Sequence, residues 1–188
     1  MRMKFSIFLI LLAISLCQNE SDAQTATCDY YYQFKWAYHC FLNTEQANFN
    51  EIITKIEGKH ETGQTDYDVT ILSPGLGERL KTFSSIFCQK FPNLETIRII
   101  FAETESVDEN SLMSCENLKH LNFYGNKIRE LPQNLLTMNQ KLTEFTISYN
   151  ELTTMPENFF SNQKQLIKLD MKQITLHGHI HTVSINFF

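Results

Sequence analysis

Four hexapeptides in this chain share one pattern and stand 24 residues apart. Leu94-Glu95-Thr96-Ile97-Arg98-Ile99 is followed by Leu118-Lys119-His120-Leu121-Asn122-Phe123. Leu142-Thr143-Glu144-Phe145-Thr146-Ile147 and Leu166-Ile167-Lys168-Leu169-Asp170-Met171 complete the series. Apolar residues recur at the first, fourth and sixth places. Alternation over the last three is a period of two, so each hexapeptide predicts a short strand with one face buried.

Positions between the hexapeptides repeat as well. Asn126 and Asn150 follow their leading leucines by the same step, as do Ile128 and Leu152. Phe83, Val107, Leu131 and Met155 share one column, and Cys88, Leu112, Leu136 and Phe160 share another. The outer half of a coil is therefore present before Leu94, from about Leu80 to Phe91. A unit this short cannot bury its own apolar face, so stability must come from stacking neighbours. The asparagine is placed to bond turn backbone that would otherwise be buried and unpaired. Ala102 and Ile174 hold that place in the first and last coils.

The pattern LxxLxLxxNxL at this period resembles the leucine-rich repeat. It implies an α/β solenoid. Its concave face would be a parallel sheet, and its convex side irregular or short helical chain. The resemblance covers Leu80–Met171. The aromatic segment from Cys28 to Cys40, the Gly58-x-His60 turn and Phe91-Pro92-Asn93-Leu94 resemble parts of short secreted leucine-rich repeat proteins common in insects. That resemblance implies a binding scaffold, with some such proteins serving immune recognition or complex assembly, and not an enzyme.

Four segments are expected. Residues 1–23 read as a signal peptide: Arg2 and Lys4 precede an apolar run from Phe5 to Leu16, and Ser21 and Ala23 are small residues three and one before Gln24. Residues 24–79 are not repeats and read as an N-terminal cap of two or three short strands. Residues 80–171 are the repeats. Residues 172–188 lose the asparagine register and read as an irregular tail, either a last strand over the open edge or the mark of a truncated chain. Cleavage after Ala23 leaves 165 of 188 residues. The formal charge is −5 and no basic cluster stands out, which argues against nucleic acid and anionic membrane. A secreted, extracellular product is expected, without membrane insertion.

After Ala23 the cysteines are Cys28, Cys40, Cys88 and Cys115. An even count in an exported chain implies disulfides, with three possible connectivities. Cys28–Cys40 is local and would staple the cap. Cys88 and Cys115 fall on adjacent convex turns, so a bridge between neighbouring coils is geometrically reasonable. Free buried thiols are the alternative for that second pair.

Motifs for catalysis are thin. His60-Glu61-Thr62-Gly63-Gln64 begins like HExxH, but Gln64 replaces the second zinc histidine. Gly75-x-Gly77 lacks a third glycine. His177, His179 and His181 alternate and would share a face on a strand, yet no acidic or cysteine ligand is adjacent. No cofactor, metal or catalytic residue is expected.

The remaining functional surface is the concave face. Its outward positions fall two, four and six residues after each leading leucine. From these columns Arg98, His120, Asn122, Tyr124, Glu144, Thr146, Lys168 and Asp170 are the expected contacts for an extracellular protein partner. Tyr149 stands at a strand end beside them, as does Phe101. Thr96, Ile100, Ser148 and Lys172 complete the outward set. Mixed charge with aromatics suits protein recognition. The plain alternative is that these residues are only the solvated side of the sheet.

Overall fold

The computed structural model describes residues 24–33, 36–45, 47, 50–75, 77–176 and 179–186, with side chains as far as Ile174. The expected signal peptide lies outside the described residues. The repeat hexapeptides form four strands: β6 (Thr96–Arg98), β8 (His120–Asn122), β9 (Glu144–Thr146) and β10 (Lys168–Leu176). Each pairs in parallel with the next, 24 residues on. Ile97, Leu121, Phe145 and Leu169 stand in one row across the sheet. Those four are buried, and so are Ile99, Phe123, Ile147 and Met171 two places further along. Removing such side chains from water contributes about 1.5–3 kcal/mol each. Stacked coils are the only place this sequence can collect that energy.

Four further strands fall within residues 24–79, one more than the sequence suggested. They are β1 (Thr25–Gln33), β2 (Ala37–Asn43), β3 (Lys55–Glu57) and β4 (Val69–Pro74). β1 and β2 form an antiparallel hairpin, and β4 joins β2 to β6 by parallel pairing. One sheet results. With β11 (His179–Asn186) its order is β11-β10-β9-β8-β6-β4-β2-β1-β3. The convex side carries α1 (Ile86–Lys90) and a two-stranded parallel sheet of β5 (Thr82–Phe83) and β7 (Ser106–Val107). The rest is turns, as the pattern predicts. The columns headed by Phe83 and Cys88 point into the core, their last members Met155 and Phe160 only partly covered.

Of the tail, the described residues 172–176 and 179–186 pair as a hairpin, the last strand over the edge that was one of its two sequence readings. β10 runs past Met171 to Leu176, and β11 returns antiparallel beside it, with a bulge between Lys172 and Ile174. Gln173 keeps the backbone turn of the earlier coils, and Ile174 is fully buried where the asparagine would stand. The repeat geometry thus outlasts the repeat sequence.

Both expected disulfides are formed. Cys28 and Cys40 have Cα atoms 5.1 Å apart across the β1–β2 hairpin. Cys88 and Cys115 are 5.2 Å apart and tie two successive convex turns. Asn126 and Asn150 bind more than their own turns. The Asn126 Nδ2 donates to the carbonyls of Phe123 (2.9 Å) and, one coil back, Ile99 (2.7 Å). Its Oδ1 accepts from the Ala102 and Thr104 amides, again one coil back. Asn150 does likewise with Ile128, Phe123 and Ile147.

Charges alternate in sign along one exposed column, Arg79, Glu103, Lys127 and Glu151. Glu103 sits between two cations, 2.9 Å from Arg79 and 2.8 Å from Lys127. Those two hydrogen-bonded partners hold its carboxyl below the usual range. Glu151 pairs with Arg129 in the next column.

Candidate binding face

Because the strand period is two, the residues flanking each buried row face the other way, onto the concave side. Register then sets their neighbours. Thr96, His120, Glu144 and Lys168 form one row across the four strands. Arg98, Asn122, Thr146 and Asp170 form the next. Six of the nine contacts expected from sequence line one polar hollow of about 220 Å³: Arg98, His120, Asn122, Glu144, Thr146 and Lys168. Leu121 completes its lining.

Most charges in the hollow answer one another. Glu144 lies 3.3 Å from the Lys168 Nζ and 3.9 Å from the His120 Nε2. The other His120 ring nitrogen is 3.2 Å from the Thr96 hydroxyl. Asp170, the seventh expected contact, accepts from the Ser148 hydroxyl at 2.7 Å and lies 3.5 Å from Lys172. Asn122 turns inward along its own strand and accepts from the Tyr124 amide at 2.9 Å. Two outward positions do not reach solvent. Thr96 is buried against His120, and Ser148 is closed off between Asp170 and the Lys172 amide.

The last two expected contacts, Tyr124 and Tyr149, belong to an aromatic ridge at the strand ends. The Tyr124 ring meets Phe101 edge-on at 5.2 Å and Tyr149 at 4.9 Å. Phe101 is 66% exposed and Tyr149 42%. Both have positive φ, 52° and 58°, as do Gly125 (71°) and Gln173 (49°), one residue per coil at the same step. This left-handed residue turns each strand toward the following asparagine place. Where it is aromatic, the ring is thrown out onto the rim.

A buried histidine lies at the N-terminal end of the same face. His39 on β2 is 3% exposed, beneath Tyr31 and Phe41, whose ring centroids are 4.9 and 5.9 Å away. Its Nε2 is 2.8 Å from the Ser73 hydroxyl, and its Nδ1 has no hydrogen-bond partner among the described residues. Burial first, and the Arg98 charge second, push this imidazole down to about 4. A serine beside a histidine suggests nucleophilic chemistry only if a third group orients the base. None does so here, and an imidazole this acidic is a poor base at neutral pH.

His60, the first residue of the incomplete zinc motif, is engaged on both nitrogens. It contacts Asp66 at 2.9 Å and the Tyr38 hydroxyl at 3.3 Å, and packs on the Tyr30 ring. Lys90 holds the other Asp66 oxygen at 3.0 Å. The group ties the turn after β3 to β1, β2 and α1. No cluster of metal-ligating side chains occurs among the described residues. The side chains of His177, His179 and His181 lie outside them. No helix among the described residues is long and apolar enough to cross a membrane.

One column escaped the sequence reading. Phe91, Cys115, Asn139 and Gln163 each stand three residues before a leading leucine. Asn139 donates to the Leu112 and Cys115 carbonyls, and Gln163 to that of Leu136. These are buried inter-coil bonds on the convex side, matching those of Asn126 and Asn150 near the concave one. The common offset from the leucine was visible, but the residue types differ at every step.

No family model matches the chain, and no curated protein matches it in sequence. Solved structures do match in fold. The APL1 leucine-rich repeat domain superposes with a TM-score of 0.59 at 16% identity, over 81% of this chain and 37% of that one. A complex of TLR13 with ssRNA13 matches with a TM-score of 0.58 at 18% identity, over 79% of this chain and 19% of that one. The Toll–Spatzle complex, described as a hub in Drosophila development and innate immunity, matches with a TM-score of 0.50 at 12% identity, over 64% and 17%. The chain therefore spans little more than a third of the first of these and under a fifth of the others. Stacked 24-residue coils, the parallel concave sheet and the disulfide-bearing N-terminal strands agree with these likenesses: the chain has the leucine-rich repeat fold.

Proposed function

We propose that this chain is a secreted, non-catalytic binding protein that recognises an extracellular protein partner on its concave sheet, with innate immunity as its setting. Residues 1–23 serve as its signal peptide, 24–79 as its cap and 80–171 as its repeats. The observation that carries this reading is convergence. Six outward side chains meet in one hollow, and the exposed Phe101–Tyr124–Tyr149 ridge stands beside it. Aromatic and arginine side chains dominate interface energies. Here they ride on a rigid stacked sheet, so little ordering cost is due on binding. The setting is drawn by likeness to Toll in its Spatzle complex. Nucleic acid, the ligand named for TLR13, suits this chain poorly, since its net charge is −5.

The test is a comparison of two folded variants against a partner captured from extracellular fluid. Arg98→Ala with Tyr124→Ala should lower affinity by at least tenfold, and Trp36→Ala should not. Trp36 is 75% exposed at the tip of the β1–β2 hairpin and reports a competing surface. Retained affinity in the first variant with loss in the second would overturn the reading. The share of the solved chains that is spanned favours a second one, in which this chain is a piece of a longer ectodomain. Further 24-residue coils in the adjoining genomic sequence would establish that.

A further inference from the structure

The concave charges balance except at one place. On β6, β8, β9 and β10 the outward cations are Arg98, Lys168 and Lys172, and the anions are Glu144 and Asp170. Lys168 and His120 share Glu144, and Lys172 takes Asp170. Arg98 is exposed and makes no ion pair or hydrogen bond among the described residues. The other two arginines of the described chain each hold a carboxylate, Arg79 on Glu103 and Arg129 on Glu151. Asp29 faces the same side, but three strands away, about 14 Å at the usual strand spacing. A guanidinium left open in this way is a preformed fork for a carboxylate.

The apolar ridge lies one strand-step beyond that fork. Arg98 and Ile100 are two residues apart, as are Asn122 and Tyr124 on the neighbouring strand. That step is about 7 Å, and an extended ligand repeats its own same-face side chains at the same interval. The rings of Phe101, Tyr124 and Tyr149 meet at 88° and 50°. Rings tilted against one another present both edges and faces to an apolar or aromatic side chain.

From these observations we infer that the concave face selects an extended protein segment bearing an acidic residue two places from an aromatic or large apolar one. The carboxylate docks on Arg98, and the apolar side chain on the Phe101–Tyr124–Tyr149 ridge. This rests on the concave-face reading and adds the chemistry of the partner.

The probes are biotinylated 12-residue peptides on streptavidin, rich in Ser and Thr, with a central Glu-Thr-Phe. Controls carry Lys-Thr-Phe, Glu-Thr-Ser, or Glu-Phe with the spacer removed. The full exported chain should hold Glu-Thr-Phe at least tenfold more tightly than each control. At pH 7, where His39 is neutral, Arg98→Glu should reverse the order of Glu-Thr-Phe and Lys-Thr-Phe at an unchanged unfolding midpoint, since Arg98 has no ion pair or hydrogen bond among the described residues to lose. A peptide order that ignores residue 98, or retention of no peptide at all, overturns the inference. Radical footprinting with a captured partner separates the two readings. Protection of the concave sheet without dependence on Arg98 leaves the concave-face reading standing and removes this one. Protection confined to Trp36 or the convex side removes both.

Discussion

The ring of Phe101 occupies the space that a side chain on Gly125 would need. The two residues hold the same place in successive coils, and both adopt positive φ. The coil led by Leu118 gives up its own rim side chain, and the ring of the previous coil takes that space and meets Tyr124 edge-on. A glycine thus makes room for part of the ridge.

Gly125→Ala should therefore cost stability twice, through a left-handed backbone that alanine disfavours and through displacement of Phe101. The expected loss is about 1–3 kcal/mol. Urea unfolding gives the figure. Unchanged stability together with unchanged partner affinity would mean that the ring does not rest there.

The buried row offers a sterner measure of register. Leu121 and Phe145 are at the centre of the stack, with neighbours on both sides. Replacing either by Ala should destabilise by on the order of 2–5 kcal/mol, because the coils above and below cannot close the cavity. Leu169, on the last repeat strand, should cost less. Equal losses at all three sites would argue against a stack whose burial weakens toward β11.

The two disulfides should differ in worth. Cys88–Cys115 spans 27 residues and Cys28–Cys40 spans 12. By loop-closure entropy the first contributes about 3.5 kcal/mol and the second about 3. Paired Cys→Ala variants, compared by urea midpoint, should fall in that order. Peptide mapping without reductant should recover these two pairs and no cross-pairing.

His39 predicts an acid limb. Its folded value is about 4, against an ordinary 6.5. As pH falls, the unfolded chain takes up this proton first, so folding loses free energy. Stability is full above 6.5 and declines through the window down to about 4, by roughly 3 kcal/mol at most. Urea midpoints measured from pH 7 to 4 should show this slope in the natural protein. It should flatten in His39→Gln. A slope that persists unaltered would assign the acid limb to other groups.

The repeat columns were legible because the same kinds of residue return at a fixed step. Leu94, Leu118, Leu142 and Leu166 announce the coil, and the same step sets Cys88 and Cys115 on adjacent turns of it. What resisted reading were columns defined by conformation or bonding and filled by unlike residues. Phe101, Gly125, Tyr149 and Gln173 share a backbone angle, and only Phe101 and Tyr149 among them are alike in chemistry. Cys115, Asn139 and Gln163 share a place on the convex side; the two amides bond carbonyls of the previous coil, and the cysteine is joined to Cys88 of that coil by a disulfide. Ser148 looked outward by parity and is closed off because Asp170 and the Lys172 amide converge on its hydroxyl. The outward columns name Arg98, His120 and Glu144 as concave residues without giving their distances from one another. Only the register showed that they line one hollow.

The alternating column of Arg79, Glu103, Lys127 and Glu151 bears on how a chain like this could change length. Losing one whole coil between Arg79 and Lys127 would set two cations side by side. Losing two would bring Arg79 against Glu151 and restore attraction. Each exposed contact is worth about 1 kcal/mol or less, so the penalty is slight for any single event. Over many duplications and losses it would still favour descent by pairs of coils, a parity rule carried on the surface while the leucines beneath are indifferent to number.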